Sequence, residues 1–208
     1  MKTNFLRTLV VVASGVATLA CSKKDESPAP VPQVSGAFEL VNSITKSIPD
    51  APTGLNGSIT VPINIDREGT IADASKVTIE LAFSHPNCED IMVYLVAPSS
   101  ASLAPLILIN RLSGNDNFLN SNMLSFNSSF IGSIPFQNNN VNIPAGNYKP
   151  TAGTSASALS PISSSLMEVY LNNKSIKGEW KLSIIDFQPN NVGSFDFYKI
   201  KFGAGALK

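Results

Sequence analysis

Residues 178 to 202, GEWKLSIIDFQPNNVGSFDFYKIKF, constrain the fold of this chain more than any other stretch, because they hold two strand-like runs around a turn. In the first run Trp180, Leu182 and Ile184 alternate with Glu179, Lys181 and Ser183. Successive side chains on a strand point to opposite faces, so this alternation predicts one buried and one wetted side. In the second run Phe195 and Phe197 keep one phase, while Tyr198, Ile200 and Phe202 keep the other. A single extra residue in the strand, a β-bulge, explains the slip. Between the runs Pro189 fixes φ and Gly193 accepts positive φ, which predicts that the chain reverses as a hairpin. Its acidic groups are Glu179, Asp186 and Asp196, and it carries no His or Cys, so it reads as scaffold.

From Gly36 onward the same vocabulary continues. Ala37 to Ile44 and Ser58 to Ile65 are strand candidates divided by Pro49, Pro52, Gly54 and Gly57, and Pro62 confines the second to a sheet edge. Lys76 to Phe83 alternates cleanly, with Val77, Ile79, Leu81 and Phe83 on one side. Asp90 to Val96 and Pro105 to Asn110 follow as apolar runs. Residues 111 to 158 are rich in Asn, Ser, Gly and Pro, but a structureless loop of that length is unexpected in a compact domain, so parts such as Met123 to Phe126 and Phe130 to Ile134 should pair as short strands. Thr151 to Ser157 reads as exposed loop, and Ser165 to Leu171 as a strand or a turn or two of helix. No segment sustains a 3.6-residue period with caps and no internal repeat is present. Short strands divided by turn signals predict an all-β sandwich or barrel, and 208 residues suffice for one such domain.

The N-terminus is a separate piece. Lys2 and Arg7 make a basic start, Leu9 to Ala20 is a short run of apolar and small residues, and Leu19-Ala20-Cys21 closes it. The run is too short to span a bilayer as a helix. Leu-Ala-Cys resembles the cleavage site of bacterial lipoproteins, which implies a signal peptide over residues 1–20 and a lipidated Cys21 that anchors the chain in the membrane; the alternative is an ordinary secretory signal with an incidental Cys. Residues 21–35 then form a tether, in which Pro28, Pro30 and Pro32 favour an extended chain. The cluster Lys23, Lys24, Asp25 and Glu26 resembles the signal that sends some lipoproteins to the outer cell surface, or is simply a solvated charge run. The expected location is the outer membrane, with the domain exposed at the cell surface in the first of those cases.

Charge narrows the partners. Without Lys2 and Arg7 the processed chain carries about −2, from 13 basic and 15 acidic side chains. A surface so near neutral argues against nucleic acid or an anionic bilayer surface as a partner. With Cys21 lipidated, Cys88 is left alone and no internal disulfide is available. It is then a buried hydrophobe or loop thiol, or else a reactive group.

Several blocks resemble a known module in consistent order from Ser58 to Phe202. His85, Asp90-Ile91, Leu95 and Pro98 resemble the His-(loop)-Asp-Leu-x-x-x-Leu-x-x-Pro block of the P domain, the homo B module that follows the catalytic domain in subtilisin-like proprotein convertases. Gly114 to Phe118 resembles the next turn of that module. Gly146, Tyr148, Pro150 and Leu159 are similar to its Gly-x-Tyr-x-Pro segment and following Leu. Gly178-x-Trp180-x-Leu182-x-Ile184-x-Asp186, with Gly193 through Ile200 and Phe202, resembles its Gly-x-Trp-x-Leu strand and closing strand. Glu89 stands where the family usually has Gly, Ser99-Ser100 replace a Gly-Thr turn, and Tyr198 replaces a second Trp, which bears on loop geometry more than on fold. The resemblance implies a jelly-roll-like β-sandwich of about eight strands over residues 36–208 and a structural role for His85.

The remaining chemistry is sparse. A Ser-His-Asp hydrolase needs an oriented base beside a nucleophile; His85 is the only histidine and Asp90 is near in sequence, but no Gly-x-Ser-x-Gly elbow is present. Zinc prefers more His and Cys ligands than His85 and Cys88 offer. Calcium needs only oxygens, and because some P domains bind it, Asp90, Asp116 and Asp186 are its candidates, with solvated or turn-capping carboxylates as the plainer reading. Trp180, Phe195 and Phe202 form either a sugar-stacking platform or core. Two functions follow: a non-catalytic, lipid-anchored module that binds or stabilises a protein partner, such as a protease, at the envelope, or a cell-surface glycan-binding protein or hydrolase.

Overall fold

The two runs of the 178–202 stretch do not pair with each other. In the computed structural model, which describes residues 36–52, 54–98, 105–152 and 165–208, they lie in opposite sheets of an all-β sandwich. The leader, Cys21, the tether to residue 35, Ser99, Ser100, Leu159 and residues 153–157 of the predicted loop lie outside the described residues.

The described strands are β1 (Phe38–Asn42), β2 (Lys46–Ile48), β3 (Gly57–Ile65), β4 (Val77–Ser84), β5 (Ile91–Val96), β6 (Leu106–Asn110), β7 (Leu124–Phe126), β8 (Gly146–Tyr148), β9 (Thr151–Ala152), β10 (Gly178–Asp186) and β11 (Gly193–Phe202). A short helix, α1 (Ser165–Leu171), takes the segment read as strand or helix. No helix among the described residues is long and apolar enough to cross a membrane. One sheet runs β1-β11-β4-β7-β8, with β2 also paired to β11; the other runs β3-β10-β5-β6-β9. Four of the eleven strands have only two or three residues, so the count exceeds the expected eight by short pieces.

The hairpin expectation is therefore corrected to a crossover between layers. Alternation shows which side chains seek the interior, and both runs do bury them, but from opposite walls. Trp180, Leu182 and Ile184 of β10 and Tyr198, Ile200 and Phe202 of β11 are all at most 1% exposed. The Trp180 indole meets the Phe202 ring edge-on at 6.4 Å, and the Tyr198 hydroxyl donates to the Trp180 carbonyl across the sandwich at 3.1 Å. Val77, Ile79, Leu81 and Phe83 of β4 complete one wall, and Val61 and Ile63 of β3 with Val93 and Leu95 of β5 complete the other. The expected wetted face of β10 holds at Glu179 and Lys181 but not at Ser183, which is buried against β3 and shares a 2.9 Å hydrogen bond with Thr60.

Other readings map directly. The phase slip is a bulge, because Phe195 faces Phe83 and Phe197 faces Ala82 on β4, leaving Asp196 as the extra residue. Pro62 lies on β3, an edge strand, where its missing N–H breaks no ladder and its carbonyl accepts from Asn42 Nδ2 at 2.8 Å. The 111–158 region supplies β7, β8 and β9, and two of their pairings are parallel, β7 with β8 and β6 with β9. Thr151, predicted as exposed loop, is buried in β9, and its hydroxyl accepts from the Ile134 N–H at 3.1 Å. The Phe130 to Ile134 run forms no strand; Ile134 is buried, whereas Ile131 stands 91% exposed.

Candidate functional site

Strand register gathers residues from both sheets at one end of the sandwich. Ile91 of β5 lies opposite Asp186 of β10, which brings Asp90, the residue before Ile91, to the Asp186 side chain. In the other sheet Ser194 of β11 lies opposite Ser84 of β4, so His85 follows directly beside Gly193. Gly193 is needed for this approach and not, as the sequence suggested, for a positive φ: a Cβ there would lie 2.5 Å from the Ser84 carbonyl oxygen and 3.0 Å from His85 Cδ2. The left-handed turn residue in the preceding loop is Asn190, at φ 82°.

His85, Asp90 and Asp186 are all buried, and one potential ligand atom from each lies within 4.8 Å of the others. The His85 Nδ1 is 2.8 Å from the Asn87 carbonyl oxygen, which can only accept, so Nδ1 carries a proton. The Asn87 N–H is also 3.3 Å from Nδ1, a longer contact that the shorter one overrides. Nε2 faces Asp186 Oδ2 at 3.4 Å, and both side chains are fully buried. Asp186 Oδ1 accepts from the Gln188 N–H at 3.0 Å. Asp90 accepts from Asn87 Nδ2 at 3.1 Å and Asn191 Nδ2 at 3.2 Å, and Asn191 is itself fixed through its N–H to Asp50 at 3.3 Å. Burial pushes the Asp90 carboxyl above the usual carboxylate range, outweighing the Asn191 hydrogen bond and the nearby imidazole, with the Asp186 charge adding to the rise.

Sequence reasoning missed Asn87, Asn191, Asp50 and Arg111. Arg111, in the left-handed region at φ 45°, sends its Nε–H to the Glu89 carbonyl at 2.9 Å and lays its guanidinium 4.9 Å over the Phe187 ring. The Asn pair was detectable only as polar residues within a few positions of the Asp and of the turn.

The other predicted residues fall elsewhere. Asp116, one of three calcium candidates, is not in the cluster; its carboxylate caps the 137–141 loop, accepting from the backbone N–H groups of Gln137, Asn139 and Val141. Pro98, Gly178 and Trp180 sit at the opposite end of β10, where Gly178 takes φ 121° and a Cβ would lie 2.7 Å from Pro98 Cβ. Trp180 Nε1 donates to the Ile176 carbonyl at 2.8 Å. Trp180, Phe195 and Phe202, the sugar-platform candidates, are all core residues at most 1% exposed. Cys88 is fully buried, its Sγ facing the Leu112 and Gly114 carbonyls, and burial pushes its thiol up to about 11.

The arrangement orients an imidazole against an acid without exposing it. A surface depression of about 370 Å³ includes His85 in its wall along with Pro86, Phe118 and Val192, yet the ring has no exposed area. Neither ring nitrogen meets a hydroxyl among the described residues; the partners are the Asn87 backbone and Asp186.

No family model matches this sequence, and no curated protein matches it. Among solved structures, the serine protease of Aeromonas sobria is 14% identical with a TM-score of 0.40, covering 86% of this chain and 28% of that one. The structure of the A. sobria serine protease and chaperone complex gives 13% identity and a TM-score of 0.36, covering 80% of this chain and 26% of that one. The chain thus spans about a quarter of the length of the structures it is similar to.

Proposed function

We propose that this chain is a lipid-anchored envelope protein whose P-domain-like sandwich is non-catalytic and binds or stabilises a protein partner, a protease being the partner class that the motif resemblance suggests. One observation carries the reading: the only histidine is fully buried, with both ring nitrogens engaged by the fold itself. A general base must reach the proton it abstracts, and this one faces a backbone carbonyl and a carboxylate inside the domain. The resembled motif residues act as spacers and ties in the same way, Gly193 against His85 and Gly178 against Pro98. Leu19-Ala20-Cys21 supports anchoring at the outer membrane, and the following charge cluster supports exposure at the cell surface.

The glycan-binding alternative loses its named platform, since those aromatics are interior. The test combines three measurements on the full chain in its own membranes. Labelled fatty acid is expected to enter the protein and to be lost in Cys21→Ser. Affinity capture is expected to retain one defined protein partner, and hydrolytic assays are expected to show no turnover. Turnover abolished by His85→Ala, or capture of glycan without a protein, overturns the proposal.

A further inference from the structure

We propose that the end of the sandwich around His85 is the surface that docks the protein partner, and that it receives a basic loop or chain terminus which seats one apolar side chain in the depression beside Val192. This inference rests on the partner-binding reading above and adds a location and a chemistry to it. Chain entry fixes the location. Gly36 leads into β1 at Phe38, which lies opposite Phe202, at the other end of β11 from Gly193. The ten residues of β11 span about 30 Å at the rise of a strand. An anchor ahead of Gly36 therefore holds the domain by one end and leaves the His85 end farthest from the attachment.

Shape supplies the seat. Pro86, Leu119 and Val192 line the depression together with the buried His85 and Phe118, and Val192 is 62% exposed. That valine is held in place from both sides. The N–H groups of Asn190 and Asn191 donate to Asp50 at 3.1 and 3.3 Å, and Gly193 packs closely on Ser84 and the imidazole. Leu55, on the turn after Asp50, and Val141, whose carbonyl accepts from the N–H of the lining residue Asn117, extend the exposed apolar surface. A fixed apolar lip beside a concave surface suits an interface anchor, and covering it recovers free energy that exposure forgoes.

Charge selects a basic partner. The lysine ion pairs among the described residues, such as Lys177 with Glu68 and Lys181 with Glu179, lie on the body of the sandwich or towards the chain entry. At the His85 end Asp50, Glu89 and Asp196 are partly exposed, and among the described residues none has a Lys or Arg side chain within ion-pair distance. Lys46 of β2 is the lysine of this end. The excess lies at the surface, since Arg111 and the imidazole offset Asp90 and Asp186 within the core. Such a surface repels an acidic partner and steers a basic one, whose Lys or Arg would meet carboxylates that the chain leaves without a cation. A second copy would bring the same acidic end, and a neutral glycan brings no cation to it.

The test uses the full chain in its own membranes, with a photo-crosslinking residue at position 192 in one variant and at position 169 in another. Val169 is the control, because it is 74% exposed on α1, which is tied near the chain entry by the Ala74 N–H on Asn172 and the Ala97 N–H on Tyr170. Position 192 is expected to capture a protein through a peptide in which Lys or Arg flanks an apolar residue, and position 169 to capture none. Val192→Asp should lower affinity capture of that protein about tenfold and Glu89→Lys about threefold, with the wild-type Tm kept as the check on folding. A protein retained by the wild type but crosslinked no more strongly from 192 than from 169 overturns the inference, as does attachment through an acidic peptide or full retention by Glu89→Lys and a folded Val192→Asp; partner binding itself then stands. If the wild type retains no protein, both readings fall. Should Val192→Asp not fold, the two crosslinking positions and Glu89→Lys decide.

Discussion

Gly193 and Cys88 show how single residues at the clustered end are constrained by space and by burial. Adding one methyl at Gly193 drives a Cβ into the Ser84 carbonyl and the His85 ring, and neither backbone nor a buried ring can give way freely. Gly193→Ala should therefore cost about 2–3 kcal/mol in urea unfolding, the usual scale of overpacking. Gly36, which has nothing within 4 Å of its Cβ position, supplies the control, and Gly36→Ala should stay within about 0.5 kcal/mol. Cys88 makes a pH prediction. Its thiol is raised from 9.0 to about 11 in the fold by burial, so between those values the unfolded chain gives up a proton that the folded chain keeps. Stability from this group is then complete below pH 9 and is lost as pH rises towards 11, by about 2 kcal/mol. Cys88→Ala should remove that part of the alkaline loss, measured as the difference between the two denaturation series across the same pH window.

At the level of elements, the bulge in β11 yields a sharper test than any point substitution. Asp196 is the unpaired residue, and Phe195, Tyr198, Ile200 and Phe202 are the buried ones. Deleting Asp196 restores strict alternation and keeps all four inward, so the variant should fold with a loss of about 1–2 kcal/mol. Deleting Lys199 shifts Ile200 and Phe202 to the outer face and should leave no cooperative thermal transition by circular dichroism. This slip was visible in the sequence because alternation reports burial residue by residue. What alternation cannot report is the partner. β10 and β11 looked like a hairpin, since nothing in either run states that its apolar face meets the other from across the core. The same limit applies to the 111–158 region, whose parallel pairings join residues far apart in sequence. It also applies to the site. His85 and Asp90 were seen together because five positions separate them, whereas Asp186 joins only through the opposition of Ile91 and Asp186 between β5 and β10. Arg111 and Asn191 arrive by loops whose course no local pattern encodes.

For the whole molecule, the first described strand pairs with the last, Phe38 opposite Phe202, and β11 holds β1, β2 and β4 in one sheet. A sandwich closed this way has no subset of strands that keeps its core dry without the others, so both ends should unfold together. The sequence provides one natural probe for each end. Trp180, the single tryptophan, lies at the end where Gly178 meets Pro98, and Cys88 lies at the end of the His85 cluster. Both are 0% exposed, so indole emission should shift to longer wavelength and the thiol should become reactive only as the core opens. In urea, the Trp180 emission curve and the Cys88 labelling curve, the latter read with brief reagent pulses, should share one midpoint and one slope, as two-state unfolding requires. Labelling of Cys88 at clearly lower urea than the Trp180 transition would show instead that the clustered end opens on its own. The cooperative unit would then be smaller than the sandwich.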